Sequence, residues 1–401
     1  MKIVAPNNIT NLNELDIEQS VYEPFASILI EFIDDVSKNI LRDNAFKEFP
    51  ELLALAFWMR KAHIKKLKNY FLDKSHDKFL LGKGIVFHLA PSNVDTIFVY
   101  SWFISLLVGN SNIIRISDKE NTQTDMLLNS IMAVLNLNKY KKLRKRVAII
   151  RYGHEDKITK LLSSICDCRV IWGGDTTVQH IRSIPIKPSA TELIFPDKFS
   201  FSIIKASEFI ELSNFDKFFE NFYKDAYSFN QMACSSIKLV AWVGEENIIQ
   251  ESKILFWNNL NSYLNKRIPE DIQGAEIINK LIAEASLAIT NNICIKNHKN
   301  PYINVIELES LECADGLYHS GAGLFYEIEV GDLNEIYKFI TRKHQTIAQF
   351  GFSKDELKDS IKLNMPNGID RIVPVGQALD FSNIWDGNDL LLSFCREIDI
   401  K

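Results

Sequence analysis

The chain has 401 residues, 46% hydrophobic and 24% charged, with a formal net charge of -5. At about 100–200 residues per domain this predicts two or three globular domains around a sizeable core. The acidic balance excludes a partner held by phosphate neutralisation, so no nucleic acid is expected, and the basic runs Lys61–Lys68 and Lys141–Arg146 read as solvated helix faces.

Met1–Gln19 lacks an apolar stretch behind a basic start, so no secretory signal is expected there. Residues 1–80 read as mainly helical, with apolar residues at helical spacing over Ser20–Leu41 and again over Glu51–Phe71. From about residue 82 short apolar runs alternate with helical stretches. Strands are expected at Gly84–Ala90, Asn112–Ser117, Arg146–Arg151, Arg169–Trp172, Glu192–Phe195 and Phe199–Ile204. Helices are expected at 96–108, Thr122–Leu137, Glu155–Ile165 and after Gly174. No charge occurs between Asp95 and Arg115, but Gly109-Asn110-Ser111-Asn112 interrupts that stretch. What remains is too short to span a membrane, and it reads as a buried helix, a turn and a buried strand.

This alternation of strand and helix means a parallel sheet covered by helices on both faces. A second α/β region opens with an aromatic helix around Phe209–Tyr227, then a turn at Asn230–Ser236 and a strand at Lys238–Val243. Helices at 250–265 and 274–287 and strands at 303–308 and 323–329 follow, and the tail 366–401 is rich in Gly, Pro, Asn and Asp. The expected division is 1–80, a nucleotide-binding domain at 81–205, a cysteine-bearing domain at 206–365, and a C-terminal segment at 366–401 that packs back.

The six cysteines show no paired CxxC spacing, and Cys166-Asp167-Cys168 is too close for an ordinary metal pair, so no metal is expected. Free thiols in a reducing cytoplasm are the default. Cys234 lies in a turn between helix and strand, where a thiolate could attack a carbonyl and backbone N–H groups could hold the oxyanion; a buried structural cysteine is the other reading. Asn93, after Ala90-Pro91-Ser92, could donate to an oxyanion or simply cap a helix. Trp172-Gly173-Gly174-Asp175 follows a strand and opens a helix, as a phosphate turn does and as an ordinary tight turn does; no GxGxxG is present. Arg115, near the end of the second strand, suits the 2′-phosphate of NADP, although the nearby Asp118 argues for NAD. His88 and His344 are candidate proton donors to a leaving thiolate, and each could equally be structural.

Six stretches in order carry a resemblance. Phe87–Val94 (FHLAPSNV), Gly109–Ser117 (GNSNIIRIS), Val170–Asp175 (VIWGGD), Asp225–Ser236 (DAYSFNQMACSS), Gly368–Phe381 (GIDRIVPVGQALDF) and Trp385-Asp386-Gly387 are together similar to the LuxC-type acyl-CoA reductases of the aldehyde dehydrogenase superfamily. The resemblance implies an aldehyde dehydrogenase-like α/β fold with a nucleotide-binding domain, a catalytic domain and a small oligomerisation element. It implies that Cys234 is the nucleophile, Asn93 the oxyanion donor, Trp172-Gly173-Gly174-Asp175 the turn near the cofactor phosphates, and Arg115 the counterpart of a second-strand lysine. It further implies NADPH, a homo-oligomer, and a fatty acyl group arriving on coenzyme A or on an acylated partner protein such as an acyltransferase or synthetase. Oxidising relatives carry a water-activating glutamate in an ELGGK motif; here Ile194-Phe195-Pro196-Asp197-Lys198 has none, although Glu192 and Asp197 are near. That departure fits a thioester reduced to an aldehyde rather than hydrolysed. Other readings are an acyl-phosphate reductase, an oxidative dehydrogenase and a non-catalytic acyl-carrier-binding partner.

Overall fold

Runs such as Ile85–Leu89 lack any polar alternation, which is the pattern of a strand covered on both faces, and all five of these residues are buried. The computed structural model describes residues 1–6, 11–90, 97–119, 121–267, 278–285, 294–297, 300–308 and 319–401. They divide into two compact units, one of residues 1–197 with 381–401 and the other of residues 198–380.

The first unit runs β1 (Lys2–Ala5), α1 (Ser27–Arg42), α2 (Pro50–Trp58), α3 (Lys61–Lys74), β2 (Phe79–Gly82), β3 (Ile85–Leu89), α4 (Ile97–Leu107), β4 (Ser111–Ile116), α5 (Thr122–Leu135), β5 (Val147–Arg151), α6 (Asp156–Ile165), β6 (Cys168–Trp172), α7 (Asp175–Arg182) and β7 (Thr191–Phe195). Its main sheet has the order β1-β5-β4-β3-β6-β7. All pairs are parallel except β1 on β5. From β3 the chain builds outward first through β4 and β5 and then through β6 and β7. The switch point therefore lies between β3 and β6, where such sheets bind ligands beyond the carboxyl ends of their strands.

The uncharged stretch after Asp95 is α4, buried along its whole length. Trp102 and Phe103 of α4 pack on Phe32 of α1 with ring centroids 6.4 and 5.8 Å away. The helix expected over Glu51–Phe71 is two helices, because the Asp34 side chain accepts the backbone N–H of Lys61 at 2.8 Å and starts α3 afresh. Strand β1 has no counterpart in the sequence reading, since a four-residue edge strand takes its conformation from the neighbour it pairs with.

The second unit contains β8 (Phe199–Lys205), α8 (Ala206–Ile210), α9 (Phe215–Tyr227), β9 (Ile237–Val243), α10 (Glu246–Asn265), β10 (Cys294–Asn297), β11 (Asn304–Glu307), β12 (Leu324–Val330), β13 (His344–Phe350) and β14 (Arg371–Pro374). Its sheet order is β10-β11-β12-β9-β8-β13-β14. Only β10 on β11 is antiparallel. One core gathers Phe209, Phe218, Phe222, Trp242 and Phe256, and a second gathers Phe201, Leu239, Tyr326, Ile328 and Ile347. Burying each such side chain is worth about 1.5–3 kcal/mol. The aromatic stretch after Phe209 is thus core. It is broken in two where Asn214 caps α9 by accepting the N–H of Lys217 at 2.9 Å.

Strand β8, expected to complete the nucleotide-binding sheet, belongs to the second unit, so the boundary falls at 197/198 rather than 205/206. The tail divides at 380/381. Its last part supplies β15 (Ile384–Trp385), β16 (Asn388–Asp389) and β17 (Cys395–Ile398), and β17 pairs antiparallel with β2.

Candidate active site

In the second unit the chain leaves α9 through three consecutive left-handed residues, Phe229, Asn230 and Gln231, with φ of 53°, 53° and 63°. Each costs roughly 1–2 kcal/mol outside glycine, so the surroundings must hold the turn. Gln231 does much of this. Its side chain is fully buried and donates to the carbonyls of Ile237 and Leu324 at 2.9 and 3.0 Å, while its Oε1 accepts the N–H of Gly323 at 3.0 Å. His319 fastens the facing turn: Nε2 donates to the Leu324 carbonyl at 2.8 Å and Nδ1 accepts the N–H of Gly321 at 3.1 Å. Burial lowers its pKa to about 3, with the Lys238 charge adding to the effect, so the ring stays neutral and keeps that tautomer.

The turn delivers Cys234. The Ser200 hydroxyl donates to the Cys234 carbonyl at 2.7 Å, and the Gln345 side-chain amide lies 3.6 Å from Sγ. Cys234 is half-buried, whereas Cys166, Cys168 and Cys395 are buried. Burial pushes the Cys166 and Cys395 thiols up to about 12 and raises that of Cys168. A nucleophile needs thiolate character and access, and those three have neither. His344 is buried beside Phe199 and Phe201, and its Nδ1 accepts the N–H of Thr341 at 3.1 Å.

In the first unit a cavity of about 480 Å³ lies at the carboxyl ends of β3 and β6, lined by Ala90, Arg115, Trp172, Gly173, Gly174 and Thr177 among others. Gly174 caps α7, and a Cβ built on it meets nothing within 4 Å, so the backbone there faces open space. Asp175 is the first residue of α7. Trp172 stacks on Phe195 with centroids 3.9 Å apart and planes at 14°. Arg115 donates to the carbonyls of Gly153 and Ala90 at 2.7 and 3.4 Å and lies over the Tyr152 ring at 5.4 Å. Burial lowers its pKa.

His88 is a structural histidine in this unit. Nε2 donates to Asn112 Oδ1 and Nδ1 accepts from the Ser101 hydroxyl, both at 2.9 Å, and burial lowers its pKa to about 4. A neutral ring buried in the sheet with both nitrogens engaged has no proton to give a leaving group. Of the two acids near the place of the missing glutamate, Glu192 is held by Arg169 at 2.8 and 2.5 Å and Asp197 is exposed. Asn93 lies outside the described residues.

Of the residues the sequence reading assigns to a cofactor, Arg115, Trp172, Gly173 and Gly174 line this cavity and Asp175 does not; the same reading passes over Gln231, Ser200, His319 and Gln345. The signal for the first was a glutamine three residues before the cysteine. For His319 it was the doubled glycine of Gly321-Ala322-Gly323.

A parallel nucleotide-type sheet joined to a second parallel sheet that carries a cysteine turn defines the aldehyde dehydrogenase fold. An oxidoreductase from Marinobacter aquaeolei superposes with a TM-score of 0.68 at 10% identity, covering 95% of this chain and 87% of that one. An NAD-dependent benzaldehyde dehydrogenase from Corynebacterium glutamicum gives 0.60 at 11% identity, covering 92% and 84%. Bifunctional proline utilization A gives 0.65 at 12%, covering 94% of this chain but only 42% of that longer protein. No curated protein matches in sequence.

The chain belongs to the LuxC acyl-CoA reductase family, whose model matches residues 62–397. It is accordingly an oxidoreductase of the acyl and aldehyde class. No described helix is long and apolar enough to cross a membrane.

Proposed function

We propose that the protein is an NADPH-dependent acyl-thioester reductase in which Cys234 takes the acyl group and releases it as an aldehyde. The observation that carries this reading is the half-buried Cys234 in a strained turn held by buried side chains, whereas Cys166, Cys168 and Cys395, the other cysteines with described side chains, are buried. The donor is a fatty acyl group on coenzyme A, or on an acylated partner protein.

The residues around the first cavity fit a dinucleotide. Gly174 leaves room for a pyrophosphate to approach the start of α7, and the Arg115 guanidinium supplies positive charge at the same cavity. Arginine rather than lysine or acid at that place supports the 2′-phosphate of NADPH. When bound, the reduced nicotinamide supplies the hydride that converts a thioester to an aldehyde.

The rest is done by the chain's own groups. The Cys234 thiolate attacks the acyl carbonyl carbon, and Asn93 with the backbone N–H of Cys234 holds the oxyanion. The bond to the donor sulfur breaks, and the donor thiolate takes a proton from solvent. The acyl group is now a thioester on Cys234. Hydrolysis of that thioester needs a base to activate water; the segment Ile194–Lys198 offers no glutamate, its one acid Asp197 is exposed, and Glu192 is tied to Arg169. Reduction is the remaining productive fate. Collapse of the reduced adduct returns the electron pair to Cys234 and frees the aldehyde.

The test is turnover of the full chain with tetradecanoyl-CoA and either NADPH or NADH, following aldehyde and free coenzyme A. One aldehyde and one free coenzyme A per NADPH consumed is the expected result. Free fatty acid in place of aldehyde would contradict the reductive reading, and a preference for NADH would contradict the role given to Arg115.

A further inference from the structure

Strand β13 carries an irregularity exactly where it passes Cys234. His344 pairs with Phe199 and Ile347 with Phe201, so Gln345 and Thr346 together face the single residue Ser200. The register between β8 and β9 also slips at Ser200. An extra residue of this kind leaves an unpaired backbone group and re-aims a side chain. Both consequences are visible. The freed N–H of Thr346 donates to Ser200 Oγ at 3.2 Å, and that hydroxyl in turn donates to the Cys234 carbonyl. Gln345, which is fully buried, turns its amide to the Cys234 sulfur at 3.6 Å.

The Thr346 hydroxyl lies 3.3 Å from Gln345 Oε1 and donates to it, and Nε2 faces the sulfur. The opposite orientation would set a carbonyl oxygen against the sulfur lone pairs. Backbone and side chain of the nucleophile are therefore both held by one bulge.

We infer that Gln345 is a catalytic residue whose amide N–H stabilises the Cys234 thiolate. This rests on the reading of Cys234 as nucleophile. A donor hydrogen bond favours the charged form of the group that accepts it, so it raises the fraction of thiolate near neutral pH. An amide donates without giving up its proton. It therefore serves the thiolate before attack and receives it again when the aldehyde leaves.

Among the described residues, the charged and titratable groups on the elements packed around the turn have their own partners. Lys238 of β9 donates to the Lys198 carbonyl at 3.1 Å, and Lys198 donates to the Arg342 carbonyl at 2.6 Å and lies 3.7 Å from Asp370. His319 spans Leu324 and Gly321, and His344 takes the Thr341 N–H. Gln345 is the group whose substitution should move the pH response of Cys234.

The test is the rate of iodoacetamide labelling of Cys234, resolved by peptide mass spectrometry from pH 5.5 to 9.5, in the full-length wild type, Gln345→Ala and Gln345→Glu. The inflection should rise by about one pH unit in Gln345→Ala, roughly a ten-fold slower reaction at neutral pH, as expected for the loss of one hydrogen bond. It should rise further in Gln345→Glu, which keeps the shape of the side chain and replaces the donor by an acceptor. Thr346→Val, which removes the hydroxyl that donates to Gln345 Oε1, should give a smaller rise. Inflections equal to wild type in both Gln345 variants, with Cys234 still labelled and the fold intact by circular dichroism, would overturn the inference. So would a loss of pH dependence that tracks unfolding rather than the substituted group. No acyl substrate enters the assay, so its outcome is independent of whether the protein reduces thioesters.

Discussion

Two glycines lie beside the two turns to which chemistry is assigned, and they have opposite surroundings. A Cβ on Gly321 would come within 2.3 Å of the Asn230 carbonyl oxygen, and its φ is +76°, so the chain passes against the cysteine turn with no space to spare. A Cβ on Gly174 would touch nothing within 4 Å, and its φ of -62° suits any residue. The cysteine turn is closed because a covalent nucleophile has to be held in one geometry. Gln231, His319 and Ser200 supply that restraint against three left-handed residues. The glycine turn at α7 is open because a ligand has to approach its backbone, and here the binding energy is left for the ligand to supply.

The sharpest way to break the comparison is to add the same methyl group at both places. Gly321→Ala should lose about 3 kcal/mol of stability, from the positive φ and from displacing the Asn230 carbonyl. The urea midpoint would fall at unchanged m-value, and a fall of less than about 1 kcal/mol would mean the cysteine turn is not held as tightly as described.

The next effect concerns the helix that leads into the turn. Asp225 on α9 is fully buried, and its carboxylate accepts the N–H groups of Gly376 and Ala378 at 2.5 and 3.0 Å. Burial nonetheless raises its pKa to about 7, against about 3.9 in an unfolded chain. The folded state therefore binds the extra proton, and this group's contribution to stability falls as pH rises from about 4 to about 7. Urea midpoints across that window should decline in the wild type and decline less in Asp225→Asn. Parallel slopes would show that Asp225 is ionised throughout.

A smaller change is expected on the open side. Arg115→Leu keeps bulk beneath the cavity and removes the charge. Its KM for NADPH should rise about ten-fold, the loss of roughly 1.4 kcal/mol, with kcat little altered. An equal rise for NADH would mean that the guanidinium does not discriminate the 2′-phosphate. Smallest of all is Gly174→Ala, which should change stability by less than about 0.5 kcal/mol while weakening cofactor binding, measured by fluorescence titration. A large loss of stability there would erase the contrast with Gly321.

The same contrast explains what the sequence disclosed. Strands β3 to β6 are buried on both faces, so their apolar runs stand out; Gly173-Gly174 after β6 and Cys234 before β9 mark their own turns by residue type alone. Strand β13 was missed because His344, Gln345 and Thr346 are buried polar residues, and Gln345 and Thr346 meet Cys234 and Ser200 from distant segments. Nothing local separates such a strand from a loop. The place of Gln345 depends on a register slip that exists only once β13 lies on β8. The membership of β8 was misread for a related reason, since buried parallel strands look alike whichever sheet they join. Gln231 reads as a polar turn residue, and its burial follows from three backbone groups that only the fold assembles.

The central claim is that Cys234 carries the acyl group, and intact-mass spectrometry tests it most directly. The full chain and Cys234→Ala would be mixed with tetradecanoyl-CoA in the absence of NADPH. The account predicts an added acyl mass on the wild type, none on Cys234→Ala, and discharge of the adduct as aldehyde when NADPH is supplied. An adduct of equal extent on Cys234→Ala would contradict it, because the nucleophile would then be another residue.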